Sequence, residues 1–262
     1  MRILVTNDDG IHARGLWAVV EALRSVGEVM VVAPDREQSG VGSSVTLHNP
    51  VRATEVVPAV PGTWTYAVEG TPADSVILAL ESLVGNVDLV VAGINSGANL
   101  GEDVLMSGTM GAALQGYFRG IPSLAVSVTS LNAKRFEAAA QLLIALAQRV
   151  GEDFLPKPVL LNVNLPPVTP EQIGGIDVTR LARRTYADTV RQGDDGKRKY
   201  YWITRTRPAW EMEEGTDVWS VLHRRVSITP LQTDMTSSAA LSAIAGLPQK
   251  LLQVVPRKPT SS

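Results

Sequence analysis

The sequence contains no cysteine among its 262 residues, and this absence excludes disulfide bonds, thiolate zinc sites and a cysteine nucleophile. It has only three histidines, His12, His48 and His223, and no HExxH pattern, so a zinc hydrolase of the usual kind is not expected. Neither charge is in excess, since the net charge is −2, and nothing suggests binding to duplex nucleic acid. No apolar run reaches membrane-spanning length and no signal peptide is visible, so we expect a cytoplasmic protein without a membrane partner.

The amino-terminal part of the chain alternates between apolar runs of strand length and segments with helical spacing. This alternation predicts an α/β fold, with a mostly parallel sheet covered by helices on both faces, and we place this core in residues 1–170. The expected strands are 3–5, 29–33, 87–92, 124–128 and 159–163, with short β-type segments within 45–68. The expected helices are 16–26, a helix starting at 72, 107–119 and 135–149.

The carboxyl-terminal part, residues 171–262, has β-type segments and few helical ones. Residues 191–196 are predicted to form the turn of a hairpin whose second strand carries Tyr200, Tyr201 and Trp202. A protruding hairpin cannot bury both of its faces alone, so contact with another subunit would cover these aromatic side chains. We therefore treat 171–262 as an extension containing the hairpin arm, a returning strand at 227–231 and a terminal helix at 238–247.

Two adjacent carboxylates, Asp8 and Asp9, follow the first predicted strand. Ligands of open α/β sheets bind beyond the carboxyl ends of the strands, and neighbouring carboxylates repel unless a cation lies beside them. A hard metal ion with oxygen ligands is therefore one hypothesis. The alternative is that one aspartate caps the next helix while the other is solvated, and this stretch alone favours neither.

Further polar groups follow other predicted strands. Ser39 and Gly40 lie in a small-residue loop after the second strand, although an ordinary flexible connection is the simpler interpretation of that loop. Asn95 lies in the segment 93–101, which has three glycines and two asparagines in nine residues and is predicted to be a loop. Ser107 is predicted at or just before the start of a helix, where backbone N–H groups can bind phosphate; simple capping is the alternative.

These oxygen donors are expected to converge at one sheet edge, where they would form a set suited to Mg²⁺, Mn²⁺ or Ca²⁺. A metal beside an anion site suggests phosphoryl hydrolysis, in which the metal neutralises phosphate oxygens and lowers the pKa of a bound water that attacks phosphorus. Asp8 is our candidate for the base that activates this water.

Many ordered motifs in this chain resemble the survival protein E (SurE) family of nucleotidases, and the resemblance covers nearly the whole sequence. They are Thr6–Ile11, Ala33–Arg36 with Ser39 and Gly40, Gly70–Asp74, Gly93–Gly101, Ser107–Thr109, Asn162–Pro166, Glu214–Asp217 and Ser227–Leu231.

The resemblance implies a metal-dependent 5′-nucleotidase, a phosphoric monoester hydrolase that acts on nucleoside 5′- and 3′-monophosphates. It also implies a Rossmann-like core, with a hairpin and exchanged tail that build homodimers and sometimes tetramers. The implied ligands of one divalent metal ion, Mg²⁺ or Mn²⁺ before Ca²⁺, are Asp8, Asp9, Ser39 and Asn95, of which Asp8, Asp9 and Asn95 are the expected catalytic residues. The implied phosphate pocket is lined by Gly40, Ser96, Ser107, Gly108 and Thr109.

Two positions depart from the family pattern, Arg14 in place of the usual proline and Gln115 in place of the usual glutamate. Arg14 is expected to face solvent at the start of a helix, although a positive charge near the pocket mouth would alter substrate preference. His12 is a candidate for a proton donor, although a lone histidine carries little information.

Two other functions compete with this interpretation. A haloacid-dehalogenase-type phosphatase uses an aspartate nucleophile in a DxDx[TV] pattern, which adjacent Asp8 and Asp9 do not match. A nucleotide-binding protein without turnover would not need bare metal carboxylates. Trapping of an aspartyl-phosphate, and phosphate release, would separate the three.

Overall fold

A computed structural model describes residues 1–133, 135–152, 154–155, 157–185, 190–203, 209–210 and 212–252. The chain divides into two compact units, Met1–Leu231 and Gln232–Ser262. The strands are β1 Arg2–Thr6, β2 Glu28–Pro34, β3 Ala53–Glu55, β4 Trp64–Val68, β5 Leu89–Ser96, β6 Ser123–Val128, β7 Leu160–Leu165, β8 Ile176–Val178, β9 Arg184–Thr185, β10 Val190–Asp194, β11 Lys199–Ile203, β12 Ala209–Trp210 and β13 Val226–Pro230.

The α-helices are α1 Arg14–Leu23, α2 Pro72–Leu78, α3 Gly108–Tyr117, α4 Glu137–Gly151, α5 Asp217–Leu222, α6 Ser238–Ala243 and α7 Leu247–Leu252. A π-helical segment, Ala79–Leu83, extends α2, and 3-10 helices span Gly101–Met106 and Pro170–Gln172. Among the residues described, no helix combines the length and the apolar composition needed to cross a membrane.

Nine strands form the main sheet, in the order β3-β4-β2-β1-β5-β6-β7-β13-β8. The run from β4 to β7 is parallel throughout, whereas β3 and β13 pair antiparallel to their neighbours β4 and β7. This arrangement confirms the predicted α/β fold with a mostly parallel sheet.

Both faces of the sheet are buried, as the apolar strands require. Along β1, Ile3 and Val5 join the apolar cluster that contains residues of α1 and α4, whereas Leu4 joins the cluster that contains residues of α2 and α3. Successive side chains of a strand point to opposite faces, so one apolar strand contributes to both clusters. The predicted helical layers on both faces are thereby confirmed.

The strand order reverses between β1 and β5. The chain moves from β1 outward to β2 and β4, then returns to the other side of β1 with β5 and continues outward to β6 and β7. Such a reversal opens a crevice at the carboxyl ends of the two central strands, where ligands of doubly wound folds bind. Asp8 and Asp9 follow β1, and Asn95 and Ser96 end β5, so all four lie at this point.

Several predicted boundaries were wrong. β5 extends through Ser96, so Asn95 lies within the strand rather than after it, beyond a register shift between Ala92 and Asn95. α1 ends at Leu23 and not near residue 26. The segment 45–68 contains only β3 and β4, because its prolines and polar residues interrupt the β-favouring pattern.

In the extension, the predicted returning strand is confirmed as β13, which with β8 completes the main sheet. The hairpin is also present, but its turn was predicted too early. Arg191 to Asp194 belong to β10, and the turn follows at Asp195, whose carboxylate accepts hydrogen bonds from the N–H groups of Lys197 and Arg198. The predicted terminal helix consists of two short helices, α6 and α7, in the second compact unit.

Candidate active site

A cleft of about 390 Å³ lies at the switch point. Six of the predicted site residues line it, from the loops after β1 and β2, the end of β5 and the start of α3; they are Asp8, Ser39, Gly40, Asn95, Ser96 and Ser107. Elements far apart in the sequence therefore bring the predicted donors together.

Asp8 is the most buried carboxylate of the cleft, with 4% of its surface exposed. Its Oδ1 accepts a hydrogen bond from the Thr109 hydroxyl at 2.7 Å. Burial, with a smaller contribution from the charge of Asp9, raises the pKa of Asp8 to about 6, although the hydrogen bond from the Thr109 hydroxyl opposes this rise. A Cβ on Gly108 would lie 2.9 Å from the Asp8 Cβ, so α3 can approach Asp8 only with glycine there.

Asp9 connects the two strands on either side of the switch point. Its Oδ2 accepts a hydrogen bond from the Ser96 N–H at 3.0 Å, which ties the loop after β1 to the end of β5. Burial raises the pKa of Asp9, and the charge of Glu37 adds to this effect. The site therefore holds two aspartates whose ionised forms are opposed by burial and by neighbouring negative charge.

Two neutral oxygens complete the predicted donor set. The Asn95 Nδ2 donates to the Gly97 carbonyl at 3.0 Å, so the amide proton donors face the loop and Oδ1 is the atom that remains to bind a cation. The Ser39 hydroxyl donates to Glu37 Oε1 at 2.7 Å, which leaves its lone pairs as acceptors. Gly40 has φ of +75° with open space around it, so its backbone conformation, rather than crowding, calls for glycine.

Ser107 is the N-cap of α3, as predicted, and its hydroxyl accepts a hydrogen bond from the Met110 N–H at 3.1 Å. The N–H groups of Gly108 and Thr109 begin the helix and have no intrahelical partner. The Thr109 side chain is fully buried and its hydroxyl proton is directed to Asp8. The backbone of this segment, rather than the Thr109 side chain, is thus the part suited to an anion.

His12 and Arg14 do not line this cleft. Both are exposed and line a separate groove between α1 and α4. Arg14 is the first residue of α1, in agreement with the expected solvent-facing position. Gln115 is buried within α3 and its side-chain oxygen accepts a hydrogen bond from Arg119.

Sequence reasoning missed three residues with polar side chains that line the cleft, Glu37, Asn99 and Asp103. Glu37 and Asn99 lie inside loops that were singled out, but nothing in the loop composition distinguished them from their neighbours. Two asparagines of β7, Asn162 and Asn164, were also overlooked as contributors, although an asparagine at alternate positions of a buried strand is a signal that could have found them.

The donor set fits a hard divalent cation. Among the described residues, no group of three or more histidine, cysteine or acidic side chains is placed to hold a metal, so such an ion would depend on two carboxylates and on the neutral oxygens of Ser39 and Asn95. Oxygen-only donors match the preference of Mg²⁺, Mn²⁺ and Ca²⁺. Burial, and to a smaller extent repulsion between neighbouring carboxylates, raises the pKa values of Asp8 and Asp9, and a cation would favour their ionised forms.

The fold and the cleft define a class, the Rossmann-like α/β proteins with an acidic crevice at the topological switch point. Within that class the chain belongs to the family described as "Survival protein SurE", whose profile matches residues 3–188. Family membership confirms the resemblance seen in the sequence motifs.

Relatives and a solved structure agree with this assignment. The chain is 48% identical to the 5′-nucleotidase SurE of Dehalococcoides mccartyi strain CBDB1, over 88% of each chain. It is 49% identical to 5′-nucleotidase SurE 1 of Thermus thermophilus, over 94% of this chain and 98% of the relative. The crystal structure of the SurE protein from Aquifex aeolicus matches with a TM-score of 0.80 at 39% identity, covering 95% of this chain and all of that one.

Proposed function

We propose that this protein is a metal-dependent 5′-nucleotidase that hydrolyses nucleoside 5′- and 3′-monophosphates to nucleoside and phosphate. This proposal is carried by one observation: Asp8, Ser39 and Asn95 line one cleft at the switch point together with Ser107 at the start of α3. Asp9 lies next to this cleft and accepts a hydrogen bond from the N–H of Ser96, which lines it. Relatives that cover nearly the whole chain carry the name 5′-nucleotidase, which supports the same activity.

The proposed cofactor is one divalent ion, Mg²⁺ or Mn²⁺ before Ca²⁺, held by Asp8, Asp9, Ser39 and Asn95. When bound, such an ion neutralises phosphate charge and activates water for attack. The residues of the chain supply the rest. The N–H groups at the start of α3, with Gly40, Ser96 and Ser107, orient the phosphate, and Asp8 is the proposed acceptor of the proton that water gives up.

Phosphate release from AMP, GMP and 3′-AMP tests this function. The full chain is stripped with a chelator and then given Mg²⁺, Mn²⁺ or Ca²⁺, with Asp9→Ala and Asn95→Ala as test variants. Asp177→Asn, an aspartate on β8 outside the cleft lining, is the matched control. Release that returns with metal, and is lost in both test variants but not in the control, supports the proposal. A folded protein that releases no phosphate with any metal contradicts it and favours nucleotide binding without turnover.

We also propose that a second copy of this chain covers the hairpin arm, residues 190–203. All five residues of β11 are exposed, and Trp202 and Ile203 expose 65% and 85% of their surfaces. Exposed apolar surface of this kind marks an interaction site. Light scattering of wild type and Trp202→Asp distinguishes monomer, dimer and tetramer; a monomeric wild type contradicts the proposal.

A cytoplasmic location remains part of the proposed function, and cell fractionation tests it.

A further inference from the structure

A buried polar network connects β7 to Asp8. The network contains Asn162 and Asn164 of β7, Asn99 of the loop after β5, Ser127 of β6, and Thr109 of α3, and each of them is at most 6% exposed. Buried polar groups are retained where their hydrogen bonds are satisfied and the arrangement is specified.

The first part of the network holds the backbone of Asn99. The Asn164 side chain accepts a hydrogen bond from the Asn99 N–H at 3.0 Å and donates one to the Asn99 carbonyl at 3.0 Å, so one side-chain amide binds both backbone groups of Asn99. The Asn162 amide donates to the same carbonyl at 2.8 Å. Asn162 and Asn164 can act together because alternate residues of a strand share one face. The loop that lines the cleft is thereby fixed to β7.

The second part runs through the Asn99 side chain. Its Nδ2 donates to the Ser127 hydroxyl at 2.8 Å and lies 3.3 Å from the Thr109 hydroxyl, to which it also donates. The Thr109 hydroxyl accepts this bond and donates its own proton to Asp8 Oδ1 at 2.7 Å. Because the Thr109 hydroxyl accepts the hydrogen bond from Asn99 through a lone pair, its single proton is free to point toward Asp8.

The network also includes an unpaired group. Asn162 Oδ1 is buried and has no hydrogen-bond partner within the described part of the chain. Leaving a buried acceptor unpaired destabilises a fold, and an apolar residue on β7 would avoid that loss. Asparagine at this position is explained by its contact with the Asn99 carbonyl and not by the stability of the strand.

We propose that Asn99 is a positioning residue for Asp8, acting through the Thr109 hydroxyl, and that Asn164 holds Asn99 in the place this requires. The inference rests on the proposed function in that Asp8 is taken as a metal ligand. Groups that orient the ligands of a metal typically change affinity or activity by about 10- to 100-fold when removed, so the effect is measurable without turnover.

Calorimetric titration of Mn²⁺ into the chelator-treated full chain tests the inference. The variants are Asn99→Ala and Asn164→Leu, and Ser127→Ala is the matched control, because Ser127 takes the other hydrogen bond of the same Asn99 amide and does not lead to Asp8. We expect Mn²⁺ affinity to fall about 10-fold or more in both test variants and to stay at the wild-type value in the control. A purely structural role would instead lower the melting temperature of all three without separating their affinities.

The outcomes are distinct from those of the nucleotidase test. Wild-type affinity in Asn99→Ala, or an equal loss in Ser127→Ala, overturns the inference even if the protein releases phosphate from AMP. A selective loss of affinity sustains it even if no nucleotide is hydrolysed. If Asn99→Ala does not fold, Asn164→Leu and the milder Asn99→Ser decide by the same comparison. A wild-type protein that binds no Mn²⁺ also overturns the inference.

Discussion

Two buried aspartates, Asp8 and Asp217, have opposite surroundings. Asp217 is fully buried, and its carboxylate accepts hydrogen bonds from the N–H groups of Gly101, Ala182 and Val218 at 2.7 to 2.9 Å. Asp8 is nearly as buried, and its carboxylate accepts a hydrogen bond from the Thr109 hydroxyl, with smaller contributions from the backbone N–H groups of Asp8 and Thr109; a second carboxylate, Asp9, lies beside it. Burial raises the pKa of both.

The two carboxylates differ in how far the chain compensates their charge. Around Asp217, three donors fixed by the backbone compensate the charge, and the result connects the Gly101 end of the cleft loop to the start of α5. Around Asp8, the charge of Asp9 adds to the effect of burial, and the hydrogen bonds to the carboxylate offset the two only in part. Uncompensated buried charge is a mark of a functional site, whereas a compensated one is a mark of structure.

The largest expected effect tests the Asp8 side of this comparison. Asp8→Asn removes the charge and keeps the size, so we expect phosphate release from AMP to fall about 100-fold or more, as is common when groups that stabilise the transition state are removed. The unfolding free energy of the metal-free protein should not fall, because an uncompensated charge is lost. Metal-restored phosphate release and urea unfolding measure the two effects; full turnover at saturating metal would contradict the roles proposed for Asp8.

The next effect tests the Asp217 side. Asp217→Ala leaves three buried N–H groups without an acceptor, and we expect a loss of about 3 kcal/mol in unfolding free energy. Asp217→Asn is the matched control, since its remaining oxygen can replace Oδ1, which accepts from Ala182 and Val218, and it should lose less. Urea unfolding measures both. Equal stability of wild type and the alanine variant would show that the backbone donors find other partners.

A pH experiment sharpens the comparison for Asp8. Its folded pKa of about 6 lies above the ordinary value of 3.8, so its contribution to stability is fully present below pH 3.8 and is lost as pH rises through 6. Between pH 5 and 7.5 the metal-free wild type should lose about 1 kcal/mol relative to Asp8→Asn. Urea unfolding of both proteins at the two pH values measures this difference; parallel pH dependence would contradict it.

The fold was largely predictable, because it follows from local periodicity. Three local signals each specify an element that the structure contains: the apolar run of β1, the helical spacing of α1, and the N-cap Thr71 followed by Pro72 at the start of α2. The hairpin turn and the end of β5 were misplaced, because polar and glycine-rich residues occur in strands as well as in turns. Tertiary pairing, rather than local preference, decides those boundaries.

The predicted site residues lie at or after the ends of strands or, for Ser107, at the start of a helix. Asp8, Asp9 and Asn95 follow or end strands, and topology brings them together. Asn99 and Asn164 act across 65 positions of sequence, and no local pattern reports a contact of that range. The Thr109 hydroxyl shows the same limit, since its hydrogen bond to Asp8 joins residues 101 positions apart in the sequence.

The smallest expected effect concerns a third aspartate, Asp177, which has a counter-charge and partial exposure. Arg225 donates to both of its carboxylate oxygens, at 2.7 and 2.6 Å, and this hydrogen bonding lowers the pKa of Asp177 below its ordinary value. Its stabilisation is therefore present above the unfolded pKa and lost as pH falls through the lower folded pKa. Because the pair is partly exposed to solvent, Asp177→Asn should lower the melting temperature by only about 1–3 °C at neutral pH and leave Mn²⁺ affinity unchanged. A thermal melt and the Mn²⁺ titration check this. A loss of stability as large as that of Asp217→Ala would show that the number of fixed donors, and not burial, separates structural from functional carboxylates in this chain.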